Sequence, residues 1–166
     1  MDQGGSASLM PQDQWRHAFG VSFVPRWGNE MEMHWSRTYR ETCGCPLDES
    51  YWTSALYDPL AMLFHGVQAA GPRLTPQNFT KGMHAIPPRA SGDPYTPAAY
   101  FTSGNYSFVK DAMEIWWDPS GRAPGQSAPG CYRLPGEGRR YRVGEWPRGD
   151  ADVFGSGPCN GHAPAG

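Results

Sequence analysis

Between residues 56 and 67 the apolar residues Leu56, Leu60, Leu63, Phe64 and Val67 stand at i, i+4, i+7, i+8 and i+11. That spacing draws one stripe along an α-helix and does not fit a strand, where apolar residues recur at every second position. Gly71-Pro72 closes the helix, because glycine takes the left-handed C-terminal conformation and proline cannot continue the ladder. A second helix opens directly after it. Thr75 is placed to cap it, Pro76 to occupy its first position, and Phe79 and Met83 to face inward at i and i+4. Pro87-Pro88 ends it. Pro59 interrupts the first helix and leaves two readings open. Either Asp58 caps a helix that begins at Pro59, with residues 51–57 as an offset turn, or one helix is kinked at Pro59.

The flanking segments are less regular. Residues 18–24 alternate bulky and small side chains and stop at Pro25, as a short strand does. Asn29 is placed to cap a helix with Glu30 and Glu32 in its first turn and Met31, Trp35 and Tyr39 on one face. Gly44 and Pro46 would stop it. Residues 89–104 read as loop. Residues 108–117 read as a strand with Met113, Ile115 and Trp117 on one side and Glu114 and Trp116 on the other, followed by a turn at Asp118-Pro-Ser-Gly121. Two short strands, at 130–134 and 139–143, flank Pro135-Gly-Glu-Gly138 and suggest a hairpin. The resulting division is a disordered N-terminus at 1–14, a folded part at 15–147 and a flexible tail at 148–166.

Composition limits how self-sufficient that folded part is. Leu, Ile, Val and Phe make up 22 of the 166 residues, few for an independent core, while Gly and Pro together supply 38. Aromatic residues, 22 in all, and a net charge of only -2 oppose wholesale disorder. The near-neutral balance gives no pull toward nucleic acid or an anionic membrane, and no apolar run is long enough for membrane insertion. Residues 1–14 carry neither a basic nor an apolar stretch, so no export signal is read in this chain.

Four cysteines, Cys43, Cys45, Cys131 and Cys159, allow three pairings for two disulfides. Cys43 with Cys45 is the least favourable, and a bridge from Cys43 or Cys45 to Cys131 would staple a helix end to a late loop. One residue between the first two cysteines, then gaps of 85 and 27, does not match structural zinc sites, so no metal is expected. The five histidines have no ligand spacing, and no nucleophile-elbow, metalloprotease or phosphate-loop pattern occurs. The reading is therefore not an enzyme, with no cofactor. Arg139, Arg140 and Arg142 lie near Glu137, Glu145 and Asp150 and read as a solvated strand surface rather than a phosphate site.

Tyr57-Asp58 on the central helix, then Leu74-Thr75-Pro76, a strand ending Trp116-Trp117-Asp118-Pro119, Gly130-Cys-Tyr-Arg133 and Gly138-Arg-Arg-Tyr141 occur in a telling order. Over roughly residues 15–147 this order resembles the C-terminal third of a type I periplasmic binding protein. More narrowly, it is similar to the branched-chain amino-acid-type (leucine-binding-protein-like) substrate-binding proteins of ABC transporters. The resemblance implies an α/β class, a partial fold with helices packed on a small sheet and a loop-rich C-terminal half. It implies capture of a small, amino-acid-like solute for an importer, with the ABC permease as partner of a full-length form that is periplasmic or at the cell surface. Closure of two lobes by a hinge is what such a receptor uses. The residues gripping the ligand's ammonium and carboxylate would lie on a part that this sequence does not contain.

Two positions stand as candidate ligand contacts. Trp27 follows the expected crossing strand, and Tyr51 opens the central helix. Two other classes compete with the receptor reading. A carbohydrate-binding module would stack sugars on Trp116 and Trp117, although neighbouring strand residues point to opposite faces and one indole is better placed in the core. A cysteine-stapled secreted interaction domain would hold itself together by its four cysteines.

Overall fold

The eight-residue strand β2 (Asp111–Asp118) organises the sheet, because every other strand pairs with it. The computed structural model of the chain describes residues 5–28, 33, 35–44, 51–90, 93–124, 128–146 and 152–161, with backbone alone at 5, 6 and 51–55. Strand β1 (Phe19–Ser22) runs antiparallel along one edge of β2, with Phe19 opposite Trp116 and Ser22 opposite Met113. On the other edge, β3 (Cys131–Arg133) covers the C-terminal end of β2 and β4 (Arg140–Arg142) covers its N-terminal end, both antiparallel. The expected hairpin between β3 and β4 is thus replaced by two short strands lying end to end on one partner. The turn between them explains this. Gly136, Glu137 and Gly138 all take positive φ (58°, 60° and 79°), which carries the chain along β2 instead of folding it back on β3.

Alternation along β2 sorts the core as its sequence suggests. Met113 and Trp117 are fully buried, joined by Leu134, while Trp116 on the opposite face is half-buried. Gly130, at φ 107°, lies flat against Trp117, and a Cβ there would sit 2.5 Å from the indole. A second small core forms where Trp27, Met33 and Trp35 meet, Trp27 and Trp35 edge to face at 5.9 Å, with Tyr39 and Tyr57 packed on it.

Five helices complete the described structure: α1 (Gly5–Ser8), α2 (Gln12–Trp15), α3 (Ser36–Cys43), α4 (Tyr51–Ala70) and α5 (Pro76–His84). Where the sequence suggests a frayed N-terminus, α1 and α2 each make one helical turn. Gln12 joins the two, donating to Ala7 O at 2.8 Å and accepting from Trp117 Nε1 at 2.7 Å. Helix α3 starts at Ser36, so Trp35 precedes it, and it ends at Gly44 with φ 67° as glycine chemistry demands. The cap expected at Asn29 lies outside the described residues. Helix α4 is one 20-residue element through Pro59, which decides between the two readings of that segment. Asp58 is no cap: its carboxylate receives both arms of Arg89, at 3.0 and 2.8 Å. Thr75 caps α5 as its position requires, its hydroxyl accepting from Asn78 N at 3.2 Å.

Helices α4 and α5 cross at glycines. A Cβ on Gly82 would run into the Gly66 carbonyl and stand 2.9 Å from Ala70 N, so the two backbones touch there. Phe79 and Met83 face α4 over Gly66. The stripe Leu56, Leu60, Leu63, Phe64 and Val67 is exposed.

The C-terminal segment departs from the flexible tail read over 148–166. Residues 157–161 run beside β3, with Leu134 N donating to Pro158 O at 3.0 Å and Asn160 N to Tyr132 O at 2.8 Å. A Cys131–Cys159 disulfide locks them there, which settles the partner of Cys131 among the pairings the sequence leaves open. Backbone pairing brings Cys159 beside Arg133, within reach of Cys131. Cys43 is itself disulfide-bonded, and Cys45 lies outside the described residues. The arginine cluster is also not uniformly solvated. Arg140 is wholly buried against Asp111, while Arg139 stays exposed over the Tyr141 ring.

Candidate functional site

Packing the C-terminal segment on β3 creates a wall, and the strand-free residues after β1 supply the facing one. Between them lies a cleft of about 420 Å³, lined by Arg26, Trp27, Tyr95, Arg122 and Arg133 among polar and aromatic side chains, and by Pro124 and Pro158. That volume lies within the range of small-molecule sites. Trp27 is held by its backbone N–H, which donates to Asn160 Oδ1 at 2.8 Å. Arg26 N donates to Pro94 O at 3.0 Å, which brings the turn carrying Tyr95 to the same place.

Three arginines line this space, and each is positioned differently. Arg26 lies over the Tyr95 ring, 5.4 Å from its centroid, and reaches Glu137, donating to its carbonyl at 3.1 Å and its carboxylate at 3.4 Å. Arg133 donates through Nε to Asp118 Oδ2 at 2.9 Å and through one arm to Gly157 O at 2.9 Å, tying β3 to the C-terminal segment. Arg122 follows the turn after β2 and is exposed. Burial pushes the Asp118 carboxyl up, but hydrogen bonds from Ser120 and Arg133 outweigh it and hold the group below its ordinary 3.8. Asp118 therefore stays ionised and neutralises part of the Arg133 charge. Among the described residues, no aspartate or glutamate lines the cleft.

Of the two candidate contacts read from the sequence, Trp27 lines this cleft, while the side chain of Tyr51 lies outside the described residues. Arg26, Tyr95, Arg122, Arg133 and Asn160 carried no signal of a shared site, because the pairings that gather them span most of the chain. The one local hint was Arg26-Trp27, a cation next to an aromatic just after a strand. Trp116 and Trp117 do not form a platform. Trp117 is buried, and Trp116 donates its Nε1 to Gly155 O at 3.0 Å and meets Phe154 edge to face. Among the described residues no group of three or more His, Cys, Asp or Glu could hold a metal ion, and no helix is long and apolar enough to cross a membrane. The chain is a mixed α/β structure whose small sheet is antiparallel. Compared with known proteins, it matches no family model, no curated protein and no solved structure.

Proposed function

We propose that this chain is a non-catalytic binding module that captures a small solute in the cleft at Trp27. The observation that carries the reading is the convergence of Arg26, Arg122 and Arg133 with Trp27 and Tyr95 on one cleft of about 420 Å³. Guanidinium groups recognise carboxylates through paired N–H donors, and aromatic and proline rings cover an apolar body. The described lining residues offer shape and hydrogen-bond donors. The disulfide-locked wall supports an exported setting, where such bonds persist.

The wider role we propose is solute capture for an ABC-type importer, with the permease as partner. It rests on the motif order from Tyr57-Asp58 to Gly138-Arg-Arg-Tyr141, to which the antiparallel sheet adds nothing. The exposed α4 stripe supports packing against the remainder of a larger binding fold. Amide chemical shifts recorded while mixtures of small organic acids and amino acids are added test the binding reading. Shifts gathered at Trp27, Tyr95, Arg122 and Asn160 are expected. A spectrum unmoved at those four positions by every mixture would end it.

A further inference from the structure

We infer that the exposed stripe of α4 is a dimer interface, on which a second copy of this chain packs antiparallel. The inference goes beyond the cleft reading and does not rest on it. A second copy and the remainder of a larger fold are alternative occupants of one face, and the spacing of the stripe favours the copy. Leu56, Leu60, Leu63 and Val67 follow one another at steps of four, three and four residues. Alternating steps of three and four make the seam of paired helices, whose side chains interlock with those of the facing helix. This run also reads the same from either end. Two copies laid antiparallel therefore match layer for layer about a two-fold axis between residues 61 and 62. Leu56 meets the second copy's Val67, and Leu60 meets its Leu63.

Exposure, charge and area agree with that occupant. The four seam residues and Phe64 beside them are between 39% and 66% exposed. Asp58 is the one Asp, Glu, Lys or Arg in α4, and at 3.6 residues per turn it falls on the side of the helix opposite Leu60, where its carboxylate receives Arg89. A stripe without charge sets no like charges against each other when it meets its own copy. The exposed parts of these five side chains amount to roughly 500 Å² per copy, so pairing buries about 1,000 Å², the lower bound for a specific interface. An interface of that size, on a seam of about three turns, gives a weak dimer with Kd of about 10–100 μM.

Analytical ultracentrifugation of the intact, oxidised chain from about 1 to 300 μM tests this, and passage from one copy to two is expected across that range. Leu60→Lys and Leu63→Glu, both at exposed positions, should each weaken association by about tenfold or more while circular dichroism and urea unfolding stay as they are. Mixed together, the two variants should pair again. The antiparallel register sets the new lysine of one copy against the new glutamate of the other and keeps one Leu60–Leu63 layer intact, whereas a parallel pair would not bring the two charges together. If either variant fails to fold, Leu56→Lys mixed with Val67→Glu repeats the test at the outer layers. Leu74→Lys, exposed but off the stripe, should change nothing. A mass fixed at one copy up to about 300 μM would overturn the proposal and leave the face to the remainder of a larger fold. Association indifferent to both stripe variants would overturn it too, and dimers weakened by each variant but not restored by mixing would overturn the antiparallel pairing. None of these results bears on solute binding at Trp27.

Discussion

Asp111 and Arg140 form an ion pair with both side chains at 0% exposure, and its disruption has a calculable cost. Arg140 Nε donates to Asp111 Oδ1 at 2.8 Å, and its remaining arms reach Phe23 O, Val24 O and Asp111 O at 2.9, 3.2 and 3.2 Å. The other carboxylate oxygen accepts from Ala98 N at 3.0 Å. Asp111→Asn keeps the shape and an oxygen acceptor but leaves a buried guanidinium uncompensated. Removing one partner of such a pair costs about 3–5 kcal/mol, about a fifth or more of the stability of a typical domain. For a chain this long each kcal/mol lowers Tm by about 2–4 °C, so a fall of roughly 6–20 °C is expected. Urea unfolding followed by tryptophan fluorescence gives the free energy, and circular dichroism gives Tm. The double variant Asp111→Leu with Arg140→Met should recover most of the loss, because the penalty lies in the unpaired charge rather than in the absent pair. A cost for Asp111→Asn below about 1 kcal/mol, the scale of a surface pair, would refute the claim that this pair is buried and decisive.

Reducing Cys131–Cys159, or Cys159→Ser, should cost about 3.5 kcal/mol in the loop-entropy account for a separation of 28 residues, measured as the shift in urea midpoint with and without reductant. Gly82→Ala should destabilise despite its better helix propensity. Its Cβ meets the Gly66 backbone, and overpacking of about 1–3 kcal/mol exceeds the gain of about 1, read from the same unfolding curves. Because Asp118 is held below its ordinary 3.8, its contribution to stability is full above that pH and is lost as pH falls through the lower folded value; Asp118→Asn should flatten the fall in stability below about pH 4, and an unchanged pH profile would count against the assigned hydrogen bonds.

What could be read from the sequence was local. The alternation at Met113, Trp116 and Trp117 and the Thr75-Pro76 cap are set by residues within a few positions of one another, and the structure follows them. The stop at Gly44 is of the same kind. Apart from the turn at Gly136-Glu137-Gly138, the main errors are non-local. Arg140 looks like Arg139 and Arg142 until Asp111, 29 residues earlier, is placed diagonally across β2. The segment 152–161 reads as a tail because it has few apolar side chains, yet it is held by backbone bonds to β3 and one disulfide, neither of which a hydrophobic pattern reveals. Trp27 was singled out for its position. Its companions in the cleft include residues 95, 122, 133, 158, 159 and 161, and no window of sequence contains them together.

Two arginine–carboxylate pairs in series join the helical hairpin to that cleft. Asp58 on α4 takes both arms of Arg89, and Arg89 donates through Nε to Pro97 O at 2.9 Å while its backbone pairs with Ala99. Ala98, between them, donates to Asp111, which holds Arg140, which in turn fixes the carbonyls of Phe23 and Val24. The next residues in the chain are Pro25, Arg26 and Trp27, the start of the cleft wall. Segments without regular structure are thus pinned by charge-assisted bonds to backbone carbonyls, the kind worth most when water is excluded. This is how a chain short of aliphatic residues orders a site: its few large apolar groups fill the β2 core, and guanidinium groups set the loops around it.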